Sequence, residues 1–446
     1  MSFSIGLSGL RAAAKDLEVT GNNIANSATI GFKKSRAEFA DIYASSFGTC
    51  ANKSAVGVRL AAVTQQFSQG NLELTGNTLD MAINGEGFFV LRNDTGQNEM
   101  VYTRNGTFQV DRDGYVVSSA GKRLQVYPPT IPESNIAAFD SGKLTDLQLP
   151  LDNIGANSTT EVDINFNLNA DEEVIVDVDG PEFEWPQDLP DTVPDPNSYN
   201  WSTTYQVYDS LGSPRDVTMY FVKTGPLNWD VHVGMYDVNN ANPPDPPLMI
   251  DATQAGPIPI TFKTDGTIET VNGEEPPSED AVIPILMPED VFSDNGAEVL
   301  SASIKLDNAT QYSSSKNSVI DLTQNGYSAG TLSGFDVDAD GIVFARYSNG
   351  QSHILGQVAM ANFKNPQGLA QIGDNNWAQS YGSGEPVYGA AGDGRLGSIQ
   401  SCALENSNVD LTEELVNMIT AQRNYEANAK TISTADQMTQ TILNIR

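Results

Sequence analysis

The stretch LEVTGNNIANSATIGFKKS, residues 17–35, decides how this chain is built. It continues an apolar stripe of Phe3, Leu7, Leu10, Ala14, Leu17, Gly21, Ile24 and Ala28, whose spacings of four and three describe the seam of a coiled-coil-like helix. Gly21, Asn22, Asn23 and Asn26 interrupt the chemistry of that stripe without breaking its phase. They cost ~2–3 kcal/mol of helix propensity relative to alanine. Contacts outside the helix must offset that cost.

The opposite end is of the same kind. SNVDLTEELVNMITAQRNYEANAKTISTADQMTQTILNIR, residues 407–446, reads as one helix with Asp410 as N-cap and Glu413 completing an acidic capping box. Leu411, Leu415, Met418, Gln422, Tyr425, Ala429 and Ile432 repeat the four-three spacing, and Ala435, Met438, Ile442 and Ile445 resume it after a phase slip. About 35 residues of helix extend for about 50 Å, more than one small domain can cover. The two terminal helices are expected to pair as a coiled-coil-like inner domain, with neighbouring subunits covering the rest of their length, and in the monomer they are expected to be disordered.

Between the ends the sequence is β-rich. Residues 81–127 give short strands broken at Asn105-Gly106 and Asp113-Gly114, the signature of a meander, and residues 335–363 repeat the pattern around Asp340-Gly341 and Asn349-Gly350. Residues 146–330 are acidic and proline-rich, with strands such as VTMYFVK, WDVHVGMY and SASIKLD between irregular loops. The expected class is α+β, mainly β, with domains inserted one within another. Residues 1–30 with 408–446 form a terminal helical domain, and 31–75 with 385–407 a connecting region. Residues 76–145 with 331–384 form a β-rich core, and 146–330 an acidic outer domain with room for a small extra module.

The formal net charge is −33, from 57 acidic and 24 basic residues, which argues against nucleic acid and anionic membrane surfaces as partners. No run of about 18 apolar residues and no basic, apolar leader occurs, so neither membrane insertion nor a cleaved signal is expected. Two cysteines, Cys50 and Cys402, are too few for a disulfide framework. Their places beside the terminal helices leave two readings, packed thiols or one bridge formed outside the cell.

The segments GNNIANSATIGFKKS, FSQGNLELTGNTLDMAINGEGFFV, YTRNGTFQVDRDG, ARYSNGQ and the C-terminal run from LENSNVD onward resemble, in this order, the rod and hook family of flagellar axial proteins. The matches cover about half the chain and leave the acidic insertion unmatched. The resemblance implies subunits that leave the cell unfolded through the flagellar type III export apparatus and add beneath a cap. Their terminal helices line an export channel, and their β domains form outer shells. Within the family the large insertion suits the hook branch, a curved hollow tube serving as a universal joint, better than the straight distal rod. The implied partners are the chain itself, the hook cap, the distal rod, the hook-filament junction proteins and the export apparatus, and the implied location of the chain is extracellular, in the flagellar hook.

In this setting Leu7, Leu10, Leu17, Ile24, Leu415, Met418, Tyr425, Ile432 and Ile442 become polymerisation residues. Asn22, Asn23 and Asn26 are left to fix register or to line the channel; in the alternative, Gly21 caps the helix and the asparagines form a turn. Phe39 and Tyr43 in FADIY, four apart as on a helix face, resemble the aromatic element that early flagellar substrates present to the export gate.

Other patterns carry less. GYSAG, residues 326–330, fits a hydrolase elbow around Ser328, but no helix pattern follows, and with His353 so near no triad is sensible. DVDADG, residues 336–341, opens like an EF-hand loop. Its twelfth position is Tyr347, so a hairpin turn is expected, with weak calcium binding as the alternative. His232 and His353 fall within apparent strands. No enzyme, cofactor or metal is expected. A secreted β-rich adhesin with dimerising helices is the alternative of another class.

Overall fold

Helix α1, Ser2–Ala25, ends where the asparagines begin to dominate, and a turn follows before strand β1, Ser35–Tyr43. The seam expected to run on to Ala28 therefore stops one turn early, with Gly21 inside the helix rather than capping it. Asn26 supports the turn, its side chain donating to the Asn22 carbonyl at 2.9 Å. Strand β1 pairs antiparallel with strand β2, Ala55–Gln65, through an irregular register. FADIY is therefore strand, correcting its helical reading.

At the other end, helix α2 runs Leu411–Asn444, 34 residues, and the Asp410 side chain accepts the N–H groups of Thr412 and Glu413 as its N-cap. Those two bonds hold the Asp410 carboxyl below its ordinary range. Glu413 reaches Lys34 Nζ at 3.2 Å.

The computed structural model describes residues 2–43, 55–93, 99–130, 137–150, 152–175, 183–186, 193–236, 249–253, 256–278, 281–286, 296–313 and 316–444. They divide into two units. Met1–Leu151, Ser333–Arg346 and Ser352–Arg446 make the first; Asp152–Leu332 with Tyr347–Gln351, inserted along the chain, make the second. The chain is mainly β, with the two terminal helices packed together. Among the described residues no helix is long and apolar enough to cross a membrane.

The β body of the first unit centres on Phe88–Arg92, which pairs with Met100–Thr103 and also with Arg123–Tyr127. The meander expectation is corrected here: the returning strand slots beside Phe88–Arg92. Asn105-Gly106 is correspondingly no hairpin. Gly106 lies so close to the Met81 carbonyl that a Cβ would sit 1.6 Å from it. The hairpin at Asp113-Gly114 does form, with Asp111 accepting two loop N–H groups and Gly114 at φ +83°. The apolar run at Phe88 is explained by burial on both faces. Phe88 and Val90 enter one core with Tyr102, Phe363 and Trp377, while Phe89 and Leu91 enter another with Ile83, Leu124 and Val126.

Residues 335–363 form strands on either side of Gly341 and Gly350, both at positive φ. DVDADG is thus a turn, with the Gly341 N–H bonded to the Asp338 carbonyl at 2.9 Å.

The second unit packs two sheets on one core. Trp201–Tyr208, Pro214–Lys223 and Asn228–Tyr236 form an antiparallel meander, and Glu161–Leu168 centres the other sheet. Val162, Ile164 and Phe166 meet Val217, Met219 and Phe221 in that core. GYSAG lies along the chain at 154–157 through isolated bridges, and strand Leu332–Val337 follows it, with no elbow helix. This unit has 31 acidic and 5 basic residues, a net −26, against 26 and 19, a net −7, in the first.

Candidate assembly interface

Helix α1 lies antiparallel to α2: Gly6 faces Ile432, Gly9 faces Asn428 and Asn23 reaches Glu414, so one number falls as the other rises. The glycines set the spacing. A Cβ on Gly6 would stand 3.0 Å from Ile432 Cγ1, and one on Gly9 would stand 2.4 Å from Asn428 Oδ1. The other side of α1 meets β2, where Ser8 Oγ accepts the Val58 N–H at 3.2 Å. The expected pairing of the two terminal helices therefore forms within one chain, and part of α2 is left uncovered.

The buried stripe of α1 is Gly6, Ala13, Val19, Thr20 and Asn23, displaced around the helix from the stripe read in the sequence. Leu7, Leu10, Leu17 and Ile24 flank it, half-buried. On α2, Glu414 and Ala421 are buried, Met418 and Ile432 half-buried, and Tyr425 lies at the edge. Leu411, Leu415, Val416 and Ile419 stand outward, 45–58% exposed. The side chains of Ile442 and Tyr43 fall outside the described residues. The pairing places Ser2 near residue 435, so 436–444 continues about 13 Å past the start of α1.

Asn23 answers the opening puzzle. Its amide donates to the Ser35 carbonyl at 2.8 Å, accepts the Ser35 N–H at 2.9 Å and donates to Glu414 Oε2 at 3.3 Å. One buried asparagine thus ties α1, β1 and α2 together, and these bonds offset its propensity cost. Asn22 is exposed and Asn26 half-buried.

Below the helices lies a cluster that the sequence reading missed. Lys33, Arg104 and Glu405 are buried together: Lys33 Nζ is 2.6 Å from Glu405 Oε1 and Arg104 Nη1 is 3.3 Å from Oε2. The Gly70 N–H donates to Oε1 at 2.8 Å, and the Gly31 N–H to the Glu405 carbonyl at 2.7 Å. Burial pulls the Lys33 ammonium below its ordinary range, opposed by Glu405. Asn408 accepts the Lys34 N–H at 2.7 Å and donates to the Gln66 carbonyl at 2.8 Å. The signal was available. Lys33, Arg104 and Glu405 sit inside three of the quoted segments, and their convergence fixes both helix ends on the β body. Cys402 carries a free thiol, and Cys50 lies outside the described residues.

The helix pair leaves an apolar row of α2 uncovered within one chain, the mark of a surface that binds another protein. Comparison with known proteins gives the family. Family models match as flagella basal body rod protein at residues 3–33 and flagellar hook protein FlgE/F/G D1 domain at 82–180. Those for flagellar basal body protein FlaE D2 domain and flagellar basal body rod FlgEFG protein C-terminal match at 167–327 and 400–445. The chain is 38% identical to flagellar hook protein FlgE of Escherichia coli over 448 residues, covering 100% of both, and 38% identical to that of Salmonella typhimurium over 450. The crystal structure of Helicobacter pylori flagellar hook protein FlgE2 shares the fold, with TM-score 0.52 at 16% identity over 75% of this chain and 100% of that one. The chain belongs to the flagellar hook protein FlgE family: it is a non-enzymatic structural subunit of the hook, the extracellular part of the flagellum. Full-length identity to hook proteins sets aside the distal-rod and adhesin readings.

Proposed function

We propose that copies of this chain polymerise through the α1–α2 pair into a curved hollow tube that passes motor torque to the filament and encloses the export channel. The observation that carries this reading is the row of Leu411, Leu415, Val416 and Ile419 along α2, apolar and uncovered within one chain. Leu7, Leu10, Leu17 and Ile24 on α1, with Met418, Tyr425, Ile432 and Ile442 on α2, complete the contacts between copies. Asn23 fixes register, and Asn22 and Asn26 present uncharged amides to the channel. The helix pair forms the inner tube, with the connecting region, β core and acidic insertion outside it as the four parts of the subunit.

The hook cap, the distal rod and the hook-filament junction proteins meet the tube at its ends, and the type III export apparatus delivers the chain. Phe39 and Tyr43 are the export element in the unfolded chain. Replacing both by alanine is expected to reduce secretion while leaving polymerisation of purified protein intact; unchanged secretion removes that role.

Electron microscopy of the full-length chain beside one lacking 1–30 and 408–446, both concentrated in high sulfate, tests the whole reading. Curved hollow tubes from the full-length chain alone are expected. Tubes from the truncated chain refute the role of the helices, and straight tubes refute the joint.

A further inference from the structure

Where α1, α2 and β1 meet, a polar cleft of about 320 Å³ opens, lined by Asp16, Lys34, Arg36, Glu413 and Glu414 among others. Its charges do not balance. Lys34 is paired with Glu413 at 3.2 Å, and Arg36 with Glu38 at 3.0 Å. Asp16 and Glu414 are left without a cation among the described residues. Glu414 is 5% exposed and lines the cleft, and the one hydrogen bond its carboxylate makes among the described residues is the 3.3 Å contact from Asn23 to Oε2. A carboxylate at this depth that meets only an amide is a ready acceptor for a cation. Asp16 lines the same cleft half-buried, and burial pushes its carboxyl above the ordinary range.

The complementary deficit lies on α2. Val416, Ile419 and Arg423 follow at i, i+3 and i+7, on the exposed face that the proposed polymer covers. Arg423 is exposed and pairs with no carboxylate among the described residues. Covering that face strips water from its guanidinium, which then needs an anion. A metal ion is the poorer occupant: no three acidic, histidine or cysteine side chains converge to hold one among the described residues. A cleft of this volume suits a guanidinium and its stem.

We propose that the cleft is a socket for a second copy of this chain, receiving the Arg423 side chain of a neighbour between Asp16 and Glu414. The inference rests on the helix-mediated polymer proposed above and adds the ionic contact that fixes how far one pair slides along the next. A guanidinium held by two half-buried or buried carboxylates is a strong, directional contact. The apolar stripe alone would permit slippage.

The test is the critical concentration for tube formation, measured by sedimentation of the full chain, for wild type, Glu414→Gln, Arg423→Gln, the double variant and Arg423→Lys. Each single neutral change is expected to raise it roughly tenfold or more, the scale of a close interfacial charge pair. The double variant is expected to match the worse single, and Arg423→Lys to recover part of the loss. EDTA should change nothing. Arg423 is exposed, so its variants keep the monomer melting profile and remain informative even if Glu414→Gln misfolds. An Arg423→Gln value within twofold of wild type, multiplied losses in the double variant, or loss of assembly in EDTA overturns the socket. If the variants assemble normally, only this inference fails; if wild type forms no tubes, the polymer reading fails.

Discussion

Glu405 is the position where one atom exchange has the largest calculable consequence. Its carboxylate is fully buried, faces Lys33 at 2.6 Å and Arg104 at 3.3 Å, and accepts the Gly70 N–H. Glu405→Gln keeps the shape and removes the charge, leaving two buried cations facing a neutral amide. Breaking a buried pair from one side costs about 3–5 kcal/mol, a large part of the 5–15 kcal/mol that holds a typical domain. Lys33→Met differs, because Glu405 then keeps Arg104 and Gly70; about 1–2 kcal/mol is expected. The assay is hydrogen exchange at the Gly31 and Gly70 amides, which report this junction and not the second unit, supported by urea unfolding. With a slope of roughly 2 kcal/mol per M, Glu405→Gln should lower the urea midpoint of the first unit by about 1.5–2.5 M. A loss under about 1 kcal/mol, or a larger loss from Lys33→Met than from Glu405→Gln, refutes the claim that Glu405 is the hub of the junction.

Further expectations concern other parts of the chain. His232, stacked on Phe183 with ring centroids 3.8 Å apart, is pulled from 6.5 to about 4 by burial, partly opposed by Asp251. Its folded value is depressed, so the unfolded chain binds the extra proton between those limits. Stability of the second unit is full above pH 6.5 and falls by about 3 kcal/mol by pH 4; His232→Gln should flatten that profile in urea titrations, and an unaltered slope rejects it. Gly106→Ala places a Cβ against the Met81 carbonyl, which is backbone and cannot swing away; a loss of more than about 2 kcal/mol is expected by thermal unfolding, with wild-type melting as the contrary result. Because the second unit carries net −26, copies repel chiefly there, and added salt should lower the concentration needed for tubes. Assembly that weakens steadily with sodium chloride contradicts this.

Both terminal helices, the Asp410 cap, most strands and the hairpins at Gly114, Gly341 and Gly350 were legible, because each depends on local periodicity or turn chemistry. The errors share one cause. The helix stripe was assigned to Leu7, Leu10 and Leu17, since periodicity weights large apolar residues, whereas Gly6 and Gly9 permit the close approach that buries a face of small and polar residues. FADIY spaces its aromatics equally well for one face of a strand or a helix. Its pairing with β2 decided between them. Strand order around Phe88–Arg92 was invisible for the same reason: nothing local tells a strand which later segment returns beside it.

The sequence by itself determined that the ends are long helices, that the middle is β structure with an acidic insertion, and that the chain is a flagellar axial subunit. Those conclusions rest on short-range patterns and on ordered motifs that survive in one dimension. The tertiary structure decided why the motifs contain the residues they do. Lys33, Arg104 and Glu405 are separated by 71 and 301 residues in the chain, yet share one buried ion cluster. Asn23 lies 391 residues from Glu414 and is in hydrogen-bond contact with it. A buried charge or amide is tolerable only where its partner stands, and a partner so distant in sequence is fixed by folding alone.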